Sequence, residues 1–114
     1  MLDVPVPPSV NRTRKVHWAG HRKYEAWKRN AGFHLLANGQ YRASKQIRLH
    51  RYELTVILNE AMCRLDPDNT IKAACDFLKG LEVIADDSPQ QARKITIEWG
   101  DAPDGCRLIV RPVG

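Results

Sequence analysis

The 114-residue chain predicts an α+β fold, a small mixed sheet of about four strands with two main helices. Three observations carry that prediction. Residues 52–59 alternate, with Tyr52, Leu54, Val56 and Leu58 pointing one way and Glu53, Thr55, Ile57 and Asn59 the other, as a half-buried strand requires. Residues 66–80 read as a helix, because Ile71, Ala74, Cys75 and Leu78 recur at i, i+3, i+4 and i+7 and form one apolar stripe. Residues 94–99 alternate again, with Ile95, Ile97 and Trp99 on one face. The turn-forming run Asp101-Ala102-Pro103-Asp104-Gly105 then leads into 106–111, so the chain is expected to end in a β-hairpin.

Ahead of these elements, residues 1–6 are short and apolar enough for an edge strand, which Pro7-Pro8 stops because proline cannot donate to a ladder. Asn11, Arg12, Arg14 and Lys15 form a basic turn suited to phosphate contact. An amphipathic helix is predicted over 21–36, with Trp27 in the core and Asn38-Gly39 as its end. Trp18, flanked by His17 and His21, suits either packing or stacking on an unpaired base. Residues 44–51 fit a second helical turn or a lead-in to the strand equally well.

The chain length predicts a single domain over 1–114. No apolar run is long enough to span a membrane and no signal-peptide pattern follows Met1, so a cytoplasmic location is expected. Cys63, Cys75 and Cys106 are odd in number and lack C-x-x-C spacing, which predicts reduced core thiols rather than a disulfide or zinc site. The four histidines show no metal-ligand spacing. The net charge of +5 is unevenly spread: residues 1–51 carry +9 and residues 52–114 carry −4. A basic half beside an acidic half suits a polyanion held by one part and acted on by the other.

The acidic half holds the densest chemistry, over residues 66–87. Asp66 is the expected N-cap, Pro67 the first helical residue and Gly80 the left-handed C′ residue. Asp68, Asn69, Lys72, Asp76 and Lys79 fall on the helix side away from the stripe. Singly, each is an ordinary surface residue, and Asp76 is expected to pair with Lys72 or Lys79. The return after the helix changes this. From Asp68 to Lys79 a helix rises about 18 Å, and 81–86, if extended, cover about 20 Å. The return is thus long enough to bring Asp86 and Asp87 back beside the helix N-terminus. Like charges about 4 Å apart repel by roughly 4 kcal/mol at an effective dielectric of 20. An all-oxygen cluster of that kind calls for a hard cation, Mg²⁺ or Mn²⁺, rather than zinc.

Asp66-x-Asp68-Asn69-x-x-Lys72-x-x-x-Asp76 followed by Asp86-Asp87 resembles the signature of the RusA family of Holliday-junction resolvases, small phage and bacterial endonucleases. Pro7-Pro8-Ser9-x-Asn11-Arg12 is similar to that family's opening segment, and the resemblance covers nearly the whole chain. It implies a RusA-like, dimer-forming fold and a homodimeric, Mg²⁺-dependent enzyme, with Mn²⁺ as a second option, that cuts four-way DNA junctions symmetrically. It implies that Asp66, Asp68 and Asp87 bind the metal and that Lys72 is the functional lysine. In that scheme Asn69 orients a ligand carboxylate, Asp86 is a substitute or supporting ligand, and Asn11, Arg12, Arg14, Lys15, Asn69 and Lys72 face DNA. The chain departs from the family where Arg64 alone stands for a basic run, behind Ala61, Met62 and Cys63, and where Ser88-Pro89-Gln90-Gln91 delays the strand after Asp87. Two other readings compete: a DNA-binding protein of the same fold without catalysis, and a nuclease for other branched DNA.

Overall fold

A computed structural model describes residues 1–7, 18–45, 48–63 and 70–113, with the side chains of 18–24, 43 and 45 outside that description. Among the described residues, four strands and three helices follow one another as β1 (Leu2–Val4), α1 (Trp18–Ala37), α2 (Tyr41–Lys45), β2 (Tyr52–Leu58), α3 (Ile71–Gly80), β3 (Ala92–Trp99) and β4 (Cys106–Pro112). The predicted α+β class, with a mixed four-stranded sheet and two main helices, is what forms. The fold grows from β2, whose Tyr52, Leu54, Val56 and Leu58 are completely buried while the residues between them are half-buried. One face of the sheet therefore lies under the helices and the other stays partly open.

The strand order is β1-β4-β2-β3, with β2 parallel to β3 and antiparallel to β4, and β1 antiparallel to β4. This corrects the expected terminal hairpin: β3 and β4 are separated by β2. The reason is burial. β2 is the most apolar strand and takes a central place, and the 100–105 connection steps over its end. Gly100 N–H donates to the Leu58 carbonyl, Asn59 N–H to the Gly105 carbonyl, and Asn59 Nδ2 to the Ala102 carbonyl at 3.3 Å. Gly105 is required in that step, with φ of 113° and a Cβ position only 2.8 Å from Val6 Cγ2.

α1 begins three residues before the predicted start and ends where Asn38-Gly39 said it would. Gln40 N–H donates to the Leu35 carbonyl and Gly39 N–H to the Leu36 carbonyl, with Gly39 at φ 80°, a Schellman close. Trp27, Ala31 and Leu35 form the buried stripe of α1, and the Trp27 indole meets the Phe77 ring of α3 edge-on at 5.4 Å. Trp27 is thus a core residue, as predicted, and its Nε1 donates to the Pro5 carbonyl. The short edge strand before Pro7 also forms as expected.

α3 has Thr70 at its N-cap position, whereas Asp66 and Pro67, expected there, lie outside the described residues. Its far end corrects the role given to Gly80. That glycine is the last helical residue, and the left-handed position falls on Glu82 at φ 63°. Val83 N–H donates to the Leu78 carbonyl and Glu82 N–H to the Lys79 carbonyl, the same close that ends α1. Burial again decides: the stripe through Ala74 and Leu78 continues to Leu81, itself buried, so the helix turns past the glycine before it stops. Of the two options for 44–51, the structure takes neither as written. A helical turn over Tyr41–Lys45 comes first, and Leu49 then forms an isolated parallel bridge with Ile84.

Candidate functional site

The described part of the site is built on the polar face of α3. Lys72, Asp76 and Lys79 stand at i, i+4 and i+7, so consecutive turns stack them on one side. Asp76 Oδ2 lies 3.8 Å from Lys72 Nζ and Asp76 Oδ1 lies 3.4 Å from Lys79 Nζ. The predicted pairing of Asp76 is therefore met by both lysines. Lys79 Nζ also lies 3.4 Å from Asp87 Oδ1, which extends the row to Lys72, Asp76, Lys79 and Asp87 in alternating charge. Such a row is neutral in sum. Each exposed pair within it contributes at most about 1 kcal/mol.

What brings Asp87 here is the return segment. Val83 and Ile84 are buried in the core, Leu49 N–H donates to the Val83 carbonyl at 2.8 Å and Ala85 N–H to the Leu49 carbonyl at 3.1 Å. Tyr52 then fixes the next residue, its hydroxyl donating to the Asp86 carbonyl at 2.8 Å. The segment is held at three successive points before it reaches Asp87. Burial, followed by the charges of Cys75, Asp87 and Asp86, pushes the Tyr52 phenol well above its ordinary value, so it remains a donor at neutral pH. Burial first, then Asp87 and Asp76, pushes the Cys75 thiol up to about 11, which keeps it protonated and inert. Slight desolvation lowers the Lys79 ammonium, but the hydrogen bond and charge of Asp87, with Asp76, outweigh it and leave it raised.

The return carries Asp87 to α3, but its described contacts are with Lys79 of the last turn and with Cys75 in the middle of the helix, whereas the expected place was beside the helix N-terminus. The anchors at Val83, Ala85 and Asp86 stop the return short of it. Asp66, Asp68 and Asn69, the partners expected for Asp87, lie outside the described residues, as do Asn11, Arg12, Arg14, Lys15 and Arg64 and the side chain of Trp18. Among the described residues, no three His, Cys, Asp or Glu side chains group closely enough to hold a metal ion. The three cysteines are buried and free, as expected. No described helix is long and apolar enough to cross a membrane.

Beside the row of charges, an open cleft of about 390 Å³ runs between α1 and α3. Glu25, Lys28 and Arg29 line it from the basic half of the chain, with Lys28 paired to Glu25 at 3.1 Å, and Asp76 from the acidic half, with Phe33, Phe77 and Leu81 among its apolar lining. Sequence reasoning did not single out Tyr52 or Leu49 as residues that position Asp87. Nothing local signals them, because both contacts span more than 30 residues. No protein-family model matches the chain, and no curated protein does either.

Proposed function

We propose that the chain is a Mg²⁺-dependent endodeoxyribonuclease of the RusA kind, which resolves four-way DNA junctions as a homodimer in bacterial or phage recombination and repair. The observation that carries this reading is the triply anchored return, which delivers Asp87 to the face of α3 that bears Lys72. The chemistry of the donors fits: Asp66, Asp68 and Asp87 are all-oxygen ligands, suited to Mg²⁺ or Mn²⁺. Asp87 is exposed, and its contact with Lys79 is loose enough at 3.4 Å to exchange. Those three carboxylates would hold the ion. When bound, it supplies a polarising charge for the scissile phosphate and an acidified water.

The chain's own residues supply the rest. Lys72, more than two-thirds exposed, extends its ammonium toward solvent, where a phosphate oxygen can meet it. Lys79 holds Asp87 against α3 until the site is engaged, and Asp76 holds both lysines on one face. Arg29 adds a positive charge from α1 at the adjoining cleft, where Lys28 is paired with Glu25 at 3.1 Å.

A second reading, a junction-binding protein without catalysis, is favoured by one fact: Asp87 is paired with Lys79, which gives that carboxylate a structural role of its own. Cleavage of an end-labelled four-way junction, with linear duplex and a Y-fork as controls, separates the two. The resolvase reading predicts paired symmetric nicks on the junction in Mg²⁺, lost in EDTA and in Asp68→Asn. Junction binding with no cleavage by the wild type would replace it with the second reading, and equal cleavage of the fork would make the enzyme a general branched-DNA nuclease.

A further inference from the structure

Among the described strands β3 is an edge of eight residues, and its central run Lys94-Ile95-Thr96-Ile97-Glu98 is complementary in charge to its own reverse. Register with β2 pairs Leu54 with Ile95, Val56 with Ile97 and Leu58 with Trp99. Paired residues share a sheet face, so Ile95, Ile97 and Trp99 continue the buried face of β2 out to the rim. There Ile95 stays 40% and Trp99 45% exposed. The alternate residues Lys94, Thr96 and Glu98 lie on the opposite face, across from Glu53, Thr55 and Ile57. A long edge with an exposed apolar row is a template for strand pairing, unless charges of one sign block it. Here Lys94 and Glu98 carry opposite signs, placed symmetrically about Thr96, while Arg93 beyond them is turned back to donate to the Pro89 carbonyl.

From this geometry we infer that β3 pairs antiparallel with β3 of a second copy of the chain, about a two-fold axis through Thr96. In that register Lys94 stands opposite the partner's Glu98, Glu98 opposite the partner's Lys94, and Ile95 opposite the partner's Ile97. Directly opposed ions of unlike sign and opposed β-branched residues are the stabilising cross-strand pairs of antiparallel sheets. The neighbouring registers lose this. An axis through Ile95 sets Lys94 against Thr96, and one through Ile97 sets Thr96 against Glu98. Two four-stranded sheets become one of eight strands, and the exposed rows of Ile95 and Trp99 are covered. A two-fold contact is self-complementary by construction, which is the property the β3 sequence displays.

This inference takes the homodimer of the proposed function and gives it an interface, and its test uses neither DNA nor Mg²⁺, so either reading can fail alone. Sedimentation velocity on the full chain compares the wild type with Lys94→Glu, Glu98→Lys and the double variant carrying both. Each single variant sets like charges opposite one another twice per dimer and should weaken association on the order of 30-fold or more. The double variant restores both pairs and should dimerise like the wild type. An equimolar mixture of the two single variants should form heterodimers while each alone is monomeric. Because these side chains are exposed, melting followed by circular dichroism should show the single variants folded. Thr96→Cys should form a covalent dimer on oxidation, since the axis sets that residue against its own copy, while Lys94→Cys should not. A monomeric wild type at high micromolar concentration, or single variants that dimerise as well as the wild type, would overturn the inference.

Discussion

The two edges of the sheet are finished in opposite ways. On the β1 side, Asp3 N–H donates to Gln40 Oε1 at 2.7 Å, and Asn38 Nδ2 donates to the Asp3 carbonyl at 3.2 Å. Side chains from the segment after α1 thus occupy both backbone groups of Asp3, as a neighbouring strand would. The Asp3 carboxylate is turned into an ion pair with Arg107 at 2.7 Å, its other oxygen accepting from Gln40 Nε2. Asp3 is almost fully buried. On the β3 side, among the described residues, no such cover exists and two large apolar side chains face solvent. A three-residue strand with an inward charge is closed; an eight-residue strand with an exposed apolar row is left open, the edge we propose to pair with a second copy.

Three substitutions test that contrast. The largest effect is expected from Asp3→Ala, which leaves Arg107 and Gln40 without their shared acceptor in a nearly buried site. The loss should be about 2–3 kcal/mol by urea denaturation, with Ile95→Thr on β3 changing the stability of the monomer by less than about 0.5 kcal/mol. Burial alone raises the Asp3 carboxyl, but the hydrogen bonds from Arg107 and Gln40 and the Arg107 charge outweigh it, and the net shift is downward from 3.8. A depressed folded value stabilises the protein at pH well above 3.8, and this contribution disappears as pH falls below 3.8 through the lower folded value. Wild type and Asp3→Ala should therefore converge in stability with acidification; a constant gap down to pH 2 would deny the pair its role. A smaller loss, about 1 kcal/mol, is expected from Gln40→Ala, which removes its two hydrogen bonds with Asp3 and an exposed one from Asn38 but leaves the ion pair. If Gln40→Ala costs as much as Asp3→Ala, the edge is closed by the amide rather than by the charge.

The same contrast separates what was legible in the sequence from what was not. Local periodicity foretold β2, α1, the Asn38-Gly39 close and the single polar face of Lys72, Asp76 and Lys79, because neighbours along the chain determine those features. The closed edge was not foretold: Asp3 meets Gln40 and Arg107 only through the fold, and each of the three residues reads singly as surface. The terminal hairpin failed for the same reason. Turn chemistry at 101–105 is real, but competition for the sheet centre is decided by burial of β2, which no pair of adjacent strands reveals. Gly80 misled because a glycine near a helix end signals a stop only when the apolar stripe ends there too, and Leu81 carries it on. At the candidate site, chain length allowed Asp87 to return to α3; its meeting with Lys79 depended on Leu49 and Tyr52, more than 30 residues away.

The central claim is that Asp87 shares a metal site with Asp66 and Asp68. Thermal melting of wild type and Asp87→Asn, each in EDTA and in Mg²⁺, tests it most directly. In EDTA the two should differ little, since the exposed Lys79 pair contributes at most about 1 kcal/mol. Mg²⁺ at a hundred times its Kd should stabilise the wild type by about 2.7 kcal/mol, and Asp87→Asn should gain almost nothing. An Asp87→Asn variant that gains as much from Mg²⁺ as the wild type would contradict the site.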